Sequence, residues 1–124
     1  NRGSVWGNTM LRTLNRSRIA INVAVDGFDV QPPNMRVIEA TGAGAFLLTN
    51  AHPELANFFE PGKDLETFAN GDELIAKIRH YLSHTPDREA IARQGRVRCL
   101  KDRSMAVSAA HFRAMVEKKL NAKA

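Results

Sequence analysis

Residues 34–50, NMRVIEATGAGAFLLTN, constrain the fold more than any other stretch of this chain. Asn34 belongs to the residue types that cap helix starts, and the sequence up to Thr41 favours a helix. Gly42 and Gly44 flank one alanine there, the composition of a helix end that must turn through positive φ. The apolar run Ala45 to Leu48 follows at once, and Thr49 closes it. A helix that ends in a tight glycine turn and passes directly into a wholly apolar strand reads as the second half of a β-α-β unit. A strand dispenses with polar alternation only where both of its faces are covered.

The surrounding sequence repeats that alternation. Val5 to Asn15 reads as an amphipathic helix, with Met10, Leu11 and Leu14 at helical spacing. Ile19 to Val25 is an apolar, β-branched run and reads as a buried strand. Asp26 to Pro33 is a loop, because Pro32 and Pro33 donate no backbone hydrogen bonds and keep what precedes them extended. His52 to Phe58 reads as a short helix with Pro53 in its first turn, Pro61-Gly62 as a turn, and Leu65 to Phe68 as a third strand. Gly71-Asp72 opens a helix through Ser83 that presents Leu74, Ile75, Ile78, Tyr81 and Leu82 on one face. Thr85, as a cap before Pro86, starts another helix running to about Leu100. Ser104 caps a last helix over Met105 to about Leu120, and Trp6, Phe46, Leu47 and Leu48 are assigned to the core. Strands alternating with helices make an α/β layered unit with a small three-stranded parallel sheet and a helical C-terminal region, within a single domain spanning residues 1–124.

Composition removes several classes. No apolar run approaches the ~20 residues of a membrane span. Cys99 is the one cysteine, which excludes an internal disulfide framework and a cysteine zinc site, and fits a reducing cytoplasm. The four histidines do not cluster with acids as metal ligands; His80 and His84, one helical turn apart, read as a solvated face. The formal net charge is +5. Arg93, Arg96, Arg98, Lys101 and Arg103 lie on one helical stretch without interleaved aromatics, which reads as a solvated face or a contact with a neighbouring domain. A nucleic-acid surface is the less favoured reading.

In parallel sheets ligands gather at the carboxyl ends of the strands. Here that rim holds residues 26–36 and 49–54. Helix-start N–H groups at Met35, Arg36 and Val37, together with the helix dipole, form a cradle suited to a diphosphate, and Arg36 adds a cation. Glu39 allows two readings, a partner for Arg36 at i,i+3 or an acceptor pair for a vicinal diol.

Arg36, Glu39, Gly42 and Gly44, then FLLTN at 46–50, Glu54-Leu55, and FEPGKDL at 59–65 together resemble the C-terminal part of the nucleotide-sugar-binding domain of GT-B glycosyltransferases. The likeness is strongest to the CgeB/YkvP-like branch of the "glycosyl transferases group 1" proteins and covers roughly residues 5–100. It implies a Rossmann-like fragment forming half of a GT-B C-terminal domain. The chain would then be the donor-binding part of an enzyme that moves a sugar from a nucleotide-sugar, the donor substrate, to an acceptor, with no metal required.

On that resemblance Glu39 holds the ribose hydroxyls, and Asn34, Met35 and Arg36 meet the diphosphate. Many relatives carry a second acid near the transferred sugar. The matching position here is Gln31, which can hydrogen-bond a sugar but carries no charge. With Pro32-Pro33 in place of a glycine-rich loop, Gln31 motivates an alternative, a non-catalytic binding or assembly module that kept the fold. The acceptor site and usual base lie in an N-terminal domain in such enzymes, so this segment, read as a fragment, is expected to be inactive alone. The strand that would pair with Ile19–Val25 belongs to the preceding half, so that edge is expected to be open and to favour self-association.

Overall fold

In the computed structural model, which describes residues 3–23 and 34–122, the glycine turn after the second helix sets the layering. Helices α1 (Gly7–Arg16), α2 (Met35–Gly42), α3 (Gly71–Ser83), α4 (Thr85–Arg103) and α5 (Met105–Asn121) surround strands β1 (Ala20–Asn22), β2 (Leu47–Asn50) and β3 (Glu66–Phe68). Asn34 caps α2, its side chain accepting from the Val37 N–H at 3.3 Å. At the other end the Gly44 N–H donates to the Thr41 carbonyl and the Ala45 N–H to the Ala40 carbonyl. Gly44 holds φ at +81° between these bonds. That pair of bonds is a Schellman closure, and it turns the chain straight into β2.

The sheet is parallel throughout, in the order β1-β2-β3, with Asn22 beside Thr49 and Thr49 beside Thr67. Side chains alternate between its two faces. Ala20 and Leu47 join Val37, Ala40, Leu55, Phe59, Leu65 and Cys99 on one face. Phe46, Leu48 and Phe68 join Ile91 on the other, where Leu74, Ile78 and Tyr81 of α3 pack. β2 is covered on both faces, as its apolar run requires.

Several elements depart from the sequence reading. β1 is shorter than the expected strand over 19–25, and residues 24 and 25 lie outside the described residues. Asn22 at its carboxyl end is buried and polar. Pro53–Asn57 is a 3-10 turn capped by the His52 ring, whose Nδ1 accepts from the Glu54 N–H at 3.1 Å. Thr85 is the first residue of α4 and not its cap, and α4 continues to Arg103. Trp6 is 79% exposed and is not core. α5 buries no residue and leaves Phe112, Met115 and Leu120 in solvent. α3 and the Ser104 cap of α5 fall where the sequence places them. β1 is an edge strand with Ile21 and Val23 exposed.

Candidate functional site

The carboxyl ends of β1 and β2 carry a polar relay. The Asn22 side-chain amide donates to the Thr49 hydroxyl at 3.0 Å, and the Asn34 side-chain amide donates to the Asn22 Oδ1 at 3.4 Å. Asn34 in turn caps α2. Adjacent strand ends and the helix start are thus tied by side chains that are buried or half-buried, where an unmatched amide would cost about 1–3 kcal/mol. The relay fixes the position of the α2 start relative to the sheet.

Of the helix-start N–H groups, the one on Val37 is occupied by Asn34. Met35 and Arg36 have no backbone N–H partner among the described residues, and the Met35 side chain is exposed. The Arg36 guanidinium lies 3.1 Å from the Glu39 carboxylate and also reaches the Met10 sulfur of α1. The sequence-expected residues therefore share the first two turns of α2 but look in two directions. Asn34 faces the strand ends, while Arg36 and Glu39 face α1. Gln31, with Pro32 and Pro33, lies outside the described residues.

Glu39 also lines a cavity of about 450 Å³ between α1, α2 and α4, whose wall includes Arg12, Arg96 and Arg103. Neither this basic wall nor the Asn22–Thr49 relay is evident from the sequence reading. Asn22 stands as the one polar residue in AINVAV, and that interruption is the signal that marks it. The arginines come from helices far apart in the chain and carry no local signal.

The FEPGKDL segment has a structural explanation. The Asp64 carboxylate accepts from the Glu60 N–H at 2.9 Å, and the Asp64 N–H donates back to the Glu60 carbonyl. This closes a turn around Pro61-Gly62, and Asp64 is buried. Lys63 and Glu60 pair at the surface, which holds the lysine pKa above its ordinary value. Behind β3, the Lys77 ammonium bonds Glu66 at 2.6 Å and Glu73 at 3.1 Å. Burial opposes the Lys77 charge, but the two carboxylates outweigh it and raise the pKa. Burial, then the charge of Glu66, raises Tyr81. These groups brace α3 against β3. His80 and His84 are exposed and stacked, with centroids 4.0 Å apart. Among the described residues, no group of three or more histidines, cysteines and acids is placed to hold a metal ion. No helix among them is long and apolar enough to cross a membrane.

A parallel sheet flanked by helices, with a polar rim at its strand ends and a capped helix start facing it, defines an α/β fragment of the Rossmann-like type. The chain belongs to the glycosyl transferase-like family, whose model matches residues 1–114, and the fold is that of a partial GT-B domain. No curated protein and no solved structure matches it.

Proposed function

We propose that this chain is the donor-binding part of a glycosyltransferase that uses a nucleotide-sugar, within the CgeB/YkvP-like branch, and that it works in the cytoplasm. The observation that carries the reading is the position of Glu39, one turn above the N–H groups of Met35 and Arg36, which have no partner among the described residues, in a chain of the glycosyl transferase-like family. Side chains on a helix lean toward its N-terminus, so the Glu39 carboxylate lies over that first turn. In this reading Glu39 takes the ribose diol, and Asn34, Met35 and Arg36 take the diphosphate. Gln31, at the position of the relatives' second acid, is assigned to the transferred sugar. Transfer itself requires an N-terminal domain that supplies the acceptor site.

The test is a two-dimensional NMR titration with UDP, GDP and ADP, repeated on Glu39→Ala. Shifts clustered at residues 34–41, weakened about tenfold or more in the variant, are expected, since a hydrogen bond to a charged group contributes about 1.5–3 kcal/mol. Binding that is saturable but indifferent to Glu39→Ala refutes the ribose assignment. A second reading, a binding or assembly module without chemistry, draws on the Arg36–Glu39 pair, which gives Glu39 a partner within its own helix. It predicts no shift with any of the nucleotides.

A further inference from the structure

Two arginines of α4 stand apart from the others on that helix. Arg88 donates to the Tyr81 carbonyl at 2.7 Å, Arg93 pairs with Glu89, and Arg98 lies 2.6 Å from Asp102. Arg96 and Arg103 have no carboxylate partner among the described residues, and neither has Arg12 of α1. All three line the same cavity of about 450 Å³. Its volume falls within the range typical of small-molecule sites, about 300–1,000 Å³.

Arg103 is fixed there. Its guanidinium lies 4.3 Å over the Phe58 ring, and its Nε is buried without an acceptor among the described residues. A cation held in place, partly stripped of water and left without a counter-charge is costly unless something else supplies the charge. The other part of the wall is apolar, from Leu11, Ile38 and Leu100. Glu39, the acid that lines the cavity among the described residues, is already paired with Arg36.

We propose that this cavity binds a small organic phosphate, with its apolar or ring-shaped body against Leu11, Ile38 and Leu100 and its phosphate oxygens on Arg12, Arg96 and Arg103. Planar guanidinium forks suit phosphate oxygens, and the apolar wall favours a phosphate with a hydrocarbon body over the bare ion. This site goes beyond the donor reading and does not depend on it: the two share Glu39, but the phosphate here rests on Arg12, Arg96 and Arg103 and not on the start of α2.

Phenyl phosphate is the probe, with benzyl alcohol as its neutral counterpart, followed by two-dimensional NMR of the whole chain. Saturable phenyl phosphate shifts are expected at Leu11, Ile38, Arg96 and Leu100, and none of comparable size with benzyl alcohol. Arg96→Gln combined with Arg103→Gln should weaken phenyl phosphate at least about tenfold, the loss of one charge-assisted contact or more. Arg96→Lys keeps the charge but not the planar fork, and should weaken phenyl phosphate less than Arg96→Gln does. If the double variant is unfolded by its own NMR spectrum, the comparison of Arg96→Gln with Arg96→Lys decides the matter. Glu39→Ala separates the two sites: it should weaken nucleotide binding but tighten phenyl phosphate, since it removes the carboxylate facing the anion. No saturable shift, shifts confined to Met35 and Arg36, or equal binding by Arg96→Gln and the parent chain would each overturn the proposal.

Discussion

Gly95→Ala is the sharpest test of how α4 is seated. Gly95 is buried in the middle of the helix, and a Cβ placed there would fall inside the van der Waals envelope of the Asp64 carbonyl oxygen. That oxygen is backbone, in the turn that Asp64 itself closes onto Glu60, so no rotamer change relieves the overlap. Either α4 lifts away from the turn or the turn opens. Overpacking of this kind costs about 1–3 kcal/mol, and the rigidity of the neighbour places it at the upper end. Alanine regains about 1 kcal/mol of helix propensity over glycine. The net destabilisation is about 2 kcal/mol. At about 2.1 cal/mol/K per residue, unfolding a chain of this length carries about 0.26 kcal/mol/K, so the midpoint should fall by about 8 °C. Gly71→Ala is the control, because a Cβ there meets nothing within 4 Å. Urea unfolding should show a lower midpoint with an unchanged slope for Gly95→Ala, and a change within about 0.5 kcal/mol for Gly71→Ala. A Gly95→Ala chain as stable as the parent would refute the close seating of α4 on the Asp64 turn.

Three further outcomes follow from the same structure. Asn22→Ala should cost about 1–3 kcal/mol, because it leaves the buried Thr49 hydroxyl unmatched, while Asn22→Ala in a Thr49→Val background should cost less; equal costs in a denaturant double-mutant cycle would remove the relay. A hydrogen bond from the Ala69 N–H, then Lys77, holds the Glu73 carboxyl below its ordinary 4.5, so the stability it contributes is present above that value and lost as pH falls through the lowered one. Lys77 is raised above 10.5, so its contribution persists below that pH and is lost as pH rises through the higher value. Thermal melts across pH should therefore fall at both ends, with Glu73→Gln flattening the acid limb and Lys77→Met the alkaline one. The exposed β1 edge should give concentration-dependent mass in light scattering, reduced by Val23→Lys; a constant monomer mass would count against pairing through that edge.

The fold was legible where one local rule decided the outcome. Asn34 and Ser104 cap helices because a side-chain oxygen satisfies a backbone donor nearby in sequence, and the glycine turn needs only Gly44 at positive φ. Phe46 to Leu48 read correctly because a strand between two layers has no polar face to show. Trp6 misled because burial depends on what lies beside the chain. α1 places Leu14 against the core but buries no residue of its own, and Trp6 precedes it with no covering surface among the described residues. α5 repeats the point, with apolar residues at helical spacing and no covering surface among the described residues. The relay of Asn22 and Thr49 depends on parallel register, and the basic cavity on how α1 and α4 converge on α2. Both are properties of tertiary arrangement, which no periodicity encodes.

At Glu39 an ion pair within α2 and the proposed ribose diol compete for one carboxylate. Its carboxylate is about a quarter exposed and pairs with a more exposed arginine three residues earlier. A pair of that kind contributes about 0.3–0.5 kcal/mol. A ribose diol offers the same carboxylate two hydrogen bonds, each to a charged acceptor and each capable of about 1.5–3 kcal/mol. The ion pair is therefore easily displaced and is no obstacle to the nucleotide reading. The two roles separate when both partners are removed in turn. If Glu39 serves only Arg36, then Glu39→Ala and Arg36→Ala lose the same few tenths of a kcal/mol of stability and neither changes nucleotide binding. If Glu39 holds ribose, Glu39→Ala costs nucleotide affinity about tenfold or more, whereas Arg36→Met, which keeps an apolar stem against α1, costs only the share of a single diphosphate contact. That ordering is measurable in one titration series, and its reversal would move the site from the diol to the phosphate end of α2.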